Sequence, residues 1–168
     1  MRTKKERIDY GRKAEISVNN LLKDNGYNVE LRDTATTKKT LNDKLFGDII
    51  VTLNGVKVYI DVKRNGAIPR SSYESYMGDY FAITEKGVLD DPARIHLIPV
   101  PVMKSYIETT ISKNGWGSLE STDDGVIFTD NNIKGIRAGI TLKDWINKNK
   151  DNLWVEKLNM VNVIFVQM

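Results

Sequence analysis

A predicted β-hairpin over residues 46–63 constrains the fold more than any other segment of the chain. Two runs rich in β-branched residues flank the dipeptide Asn54-Gly55. Asn-Gly between such runs is the strongest short hairpin signal, because the tightest hairpin turns need residues that tolerate positive φ. A two-residue turn also fixes the register. The following residues are therefore predicted to lie opposite each other: Leu53 and Val56, Val51 and Val58, Ile49 and Ile60, Asp48 and Asp61.

Alternation along the hairpin predicts which face of the sheet is buried, because successive side chains of a strand point to opposite faces. With this register one face is apolar apart from Gly47 and is predicted to be core: Ile49, Val51, Leu53, Val56, Val58, Ile60 and Val62. The other face carries Asp48, Asp61 and Lys63. A slip by one residue would mix the two sets, which supports the register.

The two aspartates are predicted to stand side by side, with Lys63 two residues further along the same face. Like charges directly opposite each other destabilise a sheet. A divalent cation would relieve the repulsion, and Mg²⁺ is typically bound by one or two carboxylates, several waters and substrate phosphate oxygens. Lys63 would then orient a water molecule or neutralise charge on a phosphate. The alternative is a frayed, solvated hairpin end at which Lys63 screens both acids.

A helix predicted over residues 5–24 carries a third acid. Apolar and small residues recur in it at three- and four-residue spacing, and Asn25-Gly26 ends it. Glu15 lies on or beside the buried stripe, where a carboxylate is unusual without a partner. It is either a contribution of the helix to the same metal site or a glutamate at the edge of the stripe that reaches water.

The order of the predicted elements indicates a single α/β domain. The chain has 168 residues, the size of one ordinary domain. A helix followed by a run of strands, then by further helix and strand, predicts a mixed sheet flanked by helices. Residues 33–44 are predicted to form a mobile loop, and 65–78 an irregular segment with one helical turn. Strands are predicted at 27–32, 45–53, 56–63, 79–84, 94–100 and 161–167, and further helices at 101–112 and 141–148.

Composition excludes several kinds of chemistry. The absence of cysteine removes disulfides, thiolate zinc sites, iron–sulfur clusters and cysteine nucleophiles. His96 is the only histidine, and its apolar strand favours a structural role. Any metal would be a hard cation held by oxygen ligands. Because neither a signal peptide nor an apolar run of membrane length is present, we expect a cytoplasmic protein without a membrane partner.

Basic charge gathers near the N-terminus. Residues 1–13 carry six basic groups and two acids, whereas the whole chain has a net charge of +3. Basic patches suit a polyanion such as DNA, although a solvated basic tail fits the charge equally well. The hydroxyls, guanidinium and aromatics of 70–73 and Tyr76 suit phosphate contacts and base stacking, or form an ordinary turn whose tyrosines pack on the sheet. The residues predicted to contact DNA are Lys4, Lys5, Arg7, Arg12, Lys38, Lys39, Arg64, Arg70, Ser72 and Tyr73.

These residues together resemble the PD-(D/E)xK nuclease superfamily. Gly47-Asp48, the hairpin and Asp61-Val62-Lys63 follow its signature in order, with glycine where the name of the motif has proline. Glu15 matches the extra acid that many members carry in the preceding helix. The resemblance covers roughly residues 5–112 and implies a restriction-endonuclease-like αβββαβ core in a single nuclease domain. Residues 113–168 would form a C-terminal extension that supplies a dimer surface or DNA contacts.

The resemblance implies a metal-dependent endonuclease that hydrolyses DNA phosphodiester bonds with Mg²⁺, or with Mn²⁺ as a substitute. It also implies a homodimer or a higher homo-oligomer. Asp48 and Asp61 would ligate the metal, Glu15 would assist directly or through water, and Lys63 would act on the attacking water. The motif does not choose among junction-resolving, homing, restriction-type and repair nucleases. A non-catalytic nucleic-acid-binding module with this fold, and an interaction protein with solvated acids, are the alternatives.

Overall fold

The computed structural model describes most of the chain: residues 3–32, 47–69, 72, 74, 76–114, 120–122, 125–136 and 138–150. The predictions for Lys38, Lys39, Arg70 and Tyr73, for the loop at 33–44 and for the strand at 161–167 lie outside these residues. For Lys4 and Arg7 the backbone alone is described. Within the described ranges no helix combines the length and the hydropathy that crossing a membrane requires.

The described residues form two sheets and four helices. The strands are β1 (Asn28–Leu31), β2 (Ile49–Leu53), β3 (Val56–Lys63), β4 (Ala67–Pro69), β5 (Tyr80–Thr84), β6 (Ile95–Pro99), β7 (Glu120–Thr122), β8 (Gly125–Ile127) and β9 (Ile140–Thr141). The helices are α1 (Lys4–Asp24), α2 (Val100–Asn114), α3 (Asp130–Lys134) and α4 (142–150). Short 3₁₀ turns follow β3 at Arg64–Gly66 and precede β6 at Pro92–Arg94.

The main sheet has six strands in the spatial order β1-β2-β3-β5-β6-β9, and the smaller sheet has the order β4-β8-β7. In the main sheet β3 and β5 are parallel, and the other neighbouring pairs are antiparallel. This arrangement confirms the predicted fold class, a mixed sheet flanked by helices. The predicted helical turn within 65–78 is present, since the Tyr76 N–H donates to the Ser72 carbonyl oxygen over 2.9 Å.

The predicted hairpin register is confirmed over the whole β2–β3 ladder. Leu53 lies opposite Val56 and Ile49 opposite Ile60, and three pairs between them follow the same register. The turn residues Asn54 and Gly55 both have positive φ, as a tight hairpin turn requires. One core assignment is wrong: Val56, which directly follows the hairpin turn at the tip of the sheet, is 62% exposed.

Both faces of the main sheet are covered. On one face α1 and α4 pack against the apolar side of the hairpin through Ala14, Val18, Leu22, Leu142, Trp145 and Ile146. On the other face α2 and the smaller sheet cover a second apolar cluster that includes Phe81, Ile98, Met103 and Val126. The described part of 113–168 therefore packs on both faces of the sheet that the earlier residues build. A dimer surface or DNA contacts in this segment stay a prediction.

Candidate metal and catalytic site

Asp48 is positioned by the glycine before it. Gly47 has a φ of +80°, a conformation that favours glycine and that proline cannot adopt. A Cβ atom at Gly47 would approach the Ile60 carbonyl oxygen to 2.9 Å and the Tyr76 hydroxyl oxygen to 2.8 Å. The glycine therefore has a physical reason at the position where the family motif has proline.

Asp48 and Asp61 come together just beyond the end of the β2–β3 ladder. The Asp48 N–H donates to the Ile60 carbonyl oxygen over 3.1 Å, and the Val62 N–H donates to Asp48 Oδ2 over 3.2 Å. The two carboxyl groups share a side-chain hydrogen bond. Asp48 is 3% exposed and Asp61 is 7% exposed. The alternative of a solvated hairpin end is therefore wrong.

The surroundings of Asp61 disfavour its ionised form. Burial raises the pKa of Asp61 to about 7, and the charge and hydrogen bond of Asp48 act in the same direction. Lys63 acts in the opposite direction, with its Nζ 3.0 Å from Asp61 Oδ2, and offsets only part of this effect. Arg32 lies on the Asp48 side of the pair, where its Nη1 donates to the Gly47 carbonyl oxygen over 3.4 Å. Near pH 7 Asp61 is therefore partly protonated, whereas an ordinary aspartate would be ionised.

Lys63 remains a cation at this site. Burial by itself disfavours its charged form, but the carboxylates of Asp61 and Asp48 outweigh burial and raise its pKa. The charge of Glu15 contributes in the same direction, which places α1 beside the end of β3. At neutral pH Lys63 can therefore donate hydrogen bonds and stabilise negative charge, and it cannot accept a proton.

Glu15 is held in place by a neighbour on its own helix. Arg12 Nη1 lies 3.0 Å from Glu15 Oε2 and also donates to the Arg32 carbonyl oxygen over 2.8 Å. Glu15 is thus paired and mostly buried instead of reaching into water. Across the described residues no group of three or more acidic or histidine side chains is arranged to hold a metal ion. The structure brings Asp48, Asp61 and Lys63 into contact, with Glu15 beside them.

The described arginines predicted to contact DNA also make contacts within the protein. Arg12 links α1 to β1 as described above, and Arg64 Nη1 donates to the Tyr10 carbonyl oxygen over 2.8 Å. The Arg64 guanidinium also lies 3.5 Å from the centroid of the Tyr10 ring. Lys5 is exposed and Ser72 is half-buried. Contacts of these residues with DNA stay a prediction.

Tyr76 was predicted either to contact phosphate and bases or to pack on the sheet, and the structure confirms the packing and places the residue beside the acids. It is fully buried, packs against Phe81 with ring centroids 5.0 Å apart, and places its hydroxyl against Gly47. A Cβ atom at Gly78 would overlap the Tyr76 ring. Burial, together with the charges of Asp61 and Asp48, raises the pKa of Tyr76, so its hydroxyl stays protonated. The sequence feature that accompanies the burial of Tyr76 is a pair of glycines, Gly47 and Gly78. They are 31 positions apart in the sequence, and both lie against the Tyr76 side chain in the structure.

Comparison with known proteins finds likeness in structure and none in sequence. No protein-family model matches the chain, and no curated protein matches its sequence. Among solved structures, the chain is similar to Hjc of Archaeoglobus fulgidus, a Holliday junction resolvase from an archaeal hyperthermophile. The TM-score is 0.48 and the sequence identity is 12%, and the likeness covers 82% of this chain and 96% of the resolvase.

Proposed function

We propose that this protein is a metal-dependent endonuclease that hydrolyses phosphodiester bonds in DNA. The observation that carries the proposal is the buried pair of Asp48 and Asp61, with Lys63 Nζ 3.0 Å from Asp61. A buried acid whose pKa is displaced by burial and by a neighbouring acid, as that of Asp61 is, is typical of functional sites. The order of these residues along the chain also matches the family signature quoted above.

The residues of the pair fit a divalent metal ion. Their side chains offer carboxylate oxygens, which Mg²⁺ and Mn²⁺ prefer, and a cation would favour the ionised form of Asp61 that burial and Asp48 oppose. Asp48 and Asp61 would hold the ion, and Glu15 would assist directly or through water. A bound Mg²⁺, or Mn²⁺ in its place, supplies a Lewis acid for the phosphate and lowers the pKa of a bound water.

The chain's own residues position and balance this site. The Val62 N–H fixes the orientation of the Asp48 carboxylate, and Arg12 does the same for Glu15. Lys63, which stays protonated, stabilises negative charge that develops on the phosphate and orients the attacking water. Because these groups are held by strands and a helix, the geometry is set before substrate arrives.

DNA binding would use the basic N-terminal segment, which leads directly into the helix that carries Glu15. Lys5 is exposed there, and further along the same helix Arg12 pairs with Glu15 and Tyr10 accepts a hydrogen bond from Arg64. The substrate would be a branched structure such as a four-way junction, or a specific site of the homing type. Such enzymes act on two strands, which suits a homodimer.

The decisive experiment is incubation with Mg²⁺ and a panel of linear, supercoiled, flapped and four-way-junction DNAs. Cleavage by the wild-type protein that Asp61→Ala abolishes would support the proposal. Glu30→Ala is the matched control, because Glu30 is an exposed acid on β1. Binding of DNA without any cleavage would identify a non-catalytic nucleic-acid-binding module. Neither binding nor cleavage would favour an interaction protein.

A further inference from the structure

A glycine stands in the interior of α1, one helical turn before Glu15. Gly11 is the only glycine of this helix. Glycine is among the least favourable residues in a helix interior, because its backbone loses the most conformational freedom on folding. The φ of Gly11 is negative, so the helical backbone there is open to any residue with a side chain. The conformation of α1 therefore gives no reason for a glycine at this position.

Packing gives no reason for this glycine either. A Cβ atom at Gly11 would meet no atom of the described residues within 4 Å. Other glycines near the site differ from it: a Cβ atom at Gly47 would approach the Tyr76 hydroxyl oxygen to 2.8 Å, and one at Gly66 would overlap the Phe128 carbonyl oxygen. Gly11 thus leaves space beside α1 that nothing in the described part of the protein fills.

The space lies on the side of α1 that faces the sheet. Gly11 precedes Ala14 by three residues and Val18 by seven, a spacing that places all three on one side of a helix. Ala14 and Val18 are fully buried against the hairpin, whereas Gly11 is only half-buried. Among the residues of α1 whose side chains are described, Ala14 is the first that belongs to the core. At Gly11 the helix therefore extends past the packed core and borders an open cleft, which we call the Gly11 cleft.

The Gly11 cleft adjoins the acidic site through contacts on both of its sides. Glu15 lies one turn further along α1, about 6 Å along the helix axis, and its charge helps to raise the pKa of Lys63. Tyr10, the residue before Gly11, has its ring centroid 3.5 Å from the guanidinium of Arg64, which directly follows Lys63. Tyr10 also accepts a hydrogen bond from Arg64 through its carbonyl oxygen. A ligand that reaches Lys63 and Glu15 therefore passes beside Gly11.

We propose that the sugar-phosphate backbone of the bound DNA strand passes through the Gly11 cleft and contacts α1 at Gly11. Glycine is used where a ligand must approach the protein backbone closely, and a side chain here would occupy the space that the strand needs. The helix therefore retains a residue that weakens it. The inference rests on the proposed function, because it takes the ligand to be the DNA on which the acids act. It makes Gly11 a residue that determines how the strand is aligned beside Glu15.

The first test is thermal melting of the metal-free protein without DNA. Gly11→Ala should raise the melting temperature by about 2–4 °C, because alanine favours the helix and its methyl group enters empty space. Asn20→Ala is the matched control, since Asn20 is exposed on the same helix and alanine improves helix propensity there as well. A lower melting temperature in Gly11→Ala would show that the fold itself needs the glycine and would overturn the proposal.

The second test measures DNA affinity on the junction and linear substrates, with Ca²⁺ in place of Mg²⁺. Affinity should fall roughly tenfold or more in Gly11→Leu, by a smaller factor in Gly11→Ala, and stay within about twofold of the wild type in Asn20→Leu. The rise in melting temperature that Mn²⁺ causes should be retained in Gly11→Ala, because the added methyl group leaves the carboxylates in place. Wild-type affinity in Gly11→Leu, or a lost response to Mn²⁺ in Gly11→Ala, would overturn the proposal.

The same measurements separate this inference from the proposed function. If the wild type cleaves DNA and Gly11→Leu binds DNA as tightly as it does, the Gly11 contact alone is wrong. If the wild type binds DNA without cleaving it and Gly11→Leu weakens that binding, the nuclease proposal alone is wrong. If the wild type binds no DNA, both are wrong.

Discussion

Two buried acidic clusters in this protein are balanced in opposite ways. Glu85 is almost fully buried, and its carboxylate meets His96 Nε2 at 2.8 Å, Arg94 Nε at 3.3 Å and Lys134 Nζ at 3.7 Å. Burial opposes its ionisation, yet the hydrogen bond from His96 and the neighbouring positive charges lower its pKa. In the Asp48–Asp61 pair Lys63 Nζ lies 3.0 Å from Asp61 Oδ2, yet burial and the neighbouring Asp48 raise the pKa of Asp61 to about 7.

The difference indicates which cluster maintains the fold and which one binds a ligand. One acid faced by three basic side chains needs nothing further, and the predicted structural role of His96 is confirmed by its burial against Glu85. A buried acid whose ionisation is disfavoured costs stability at neutral pH, which a protein retains where an external cation completes the site. The four predictions below test this contrast, beginning with the largest expected effect.

The largest contrast is expected in DNA cleavage. Asp48→Ala, Asp61→Ala and Lys63→Ala should each reduce the cleavage rate by about 100-fold or more, because each removes a group that acts on the reacting phosphate. DNA binding should be largely retained. Lys57→Ala is the control for Lys63, as an exposed lysine on the same strand. Full activity in any of the three variants would remove that residue from the site.

Stability should respond to the two clusters with opposite sign. Glu85→Ala leaves the buried His96 without its hydrogen-bond partner, and also removes the acid that the half-exposed Arg94 and Lys134 contact, so it should lower the free energy of unfolding by about 1–3 kcal/mol. Asp61→Asn removes a charge that burial and Asp48 disfavour and should raise the free energy of unfolding in the absence of metal. Urea unfolding at pH 8 measures both. A gain in stability in Glu85→Ala, or a loss in Asp61→Asn, would reverse the contrast.

The pH dependence of stability should separate the clusters further. The pKa of Asp61 in the folded state, about 7, is above its ordinary value of 3.8. The favourable contribution of Asp61 to the free energy of unfolding is therefore complete below about pH 4 and is lost as the pH rises through 7. Its size is roughly 4 kcal/mol at most. The pKa of Glu85 is lowered, so its contribution is present above its ordinary value and is lost as the pH falls.

Melting curves of the metal-free protein between pH 3 and pH 9 test this dependence. Relative to the wild type, Asp61→Asn should lose the decline of stability toward pH 8, and Glu85→Gln should lose part of the decline toward low pH. Parallel profiles for all three proteins would mean that neither carboxyl has a displaced pKa.

The sequence predicts the hairpin and its acids because both depend on local rules. A two-residue turn fixed the register, and alternation then placed Asp48, Asp61 and Lys63 on one face. The same rules failed at Val56, which lies at the exposed tip of the hairpin, because alternation does not show where the covered part of a sheet ends. They also gave no sign that the acidic face is itself covered by α2 and the smaller sheet.

The remaining parts of the site depend on contacts between distant segments. Tyr76 packs beside the two aspartates because Gly47 and Gly78 leave room for its side chain. No periodic pattern in the sequence indicates that these glycines lie next to Tyr76. The smaller sheet is built from strands of three residues, which are too short to show alternation. Glu85 directly follows β5, and His96 lies in β6. The antiparallel pairing of these two strands brings the two side chains into contact.

The central claim is that the Asp48–Asp61 pair binds a divalent cation, and thermal melting with Mn²⁺ tests it most directly. At 100 times its dissociation constant, a ligand that binds the folded state alone adds about 2.7 kcal/mol. For a chain of this size that should raise the wild-type melting temperature by about 5–10 °C at pH 8. Asp61→Asn should melt above the metal-free wild type and should show little response to Mn²⁺. A wild type that ignores Mn²⁺, or a variant that responds as strongly as the wild type, would contradict the claim.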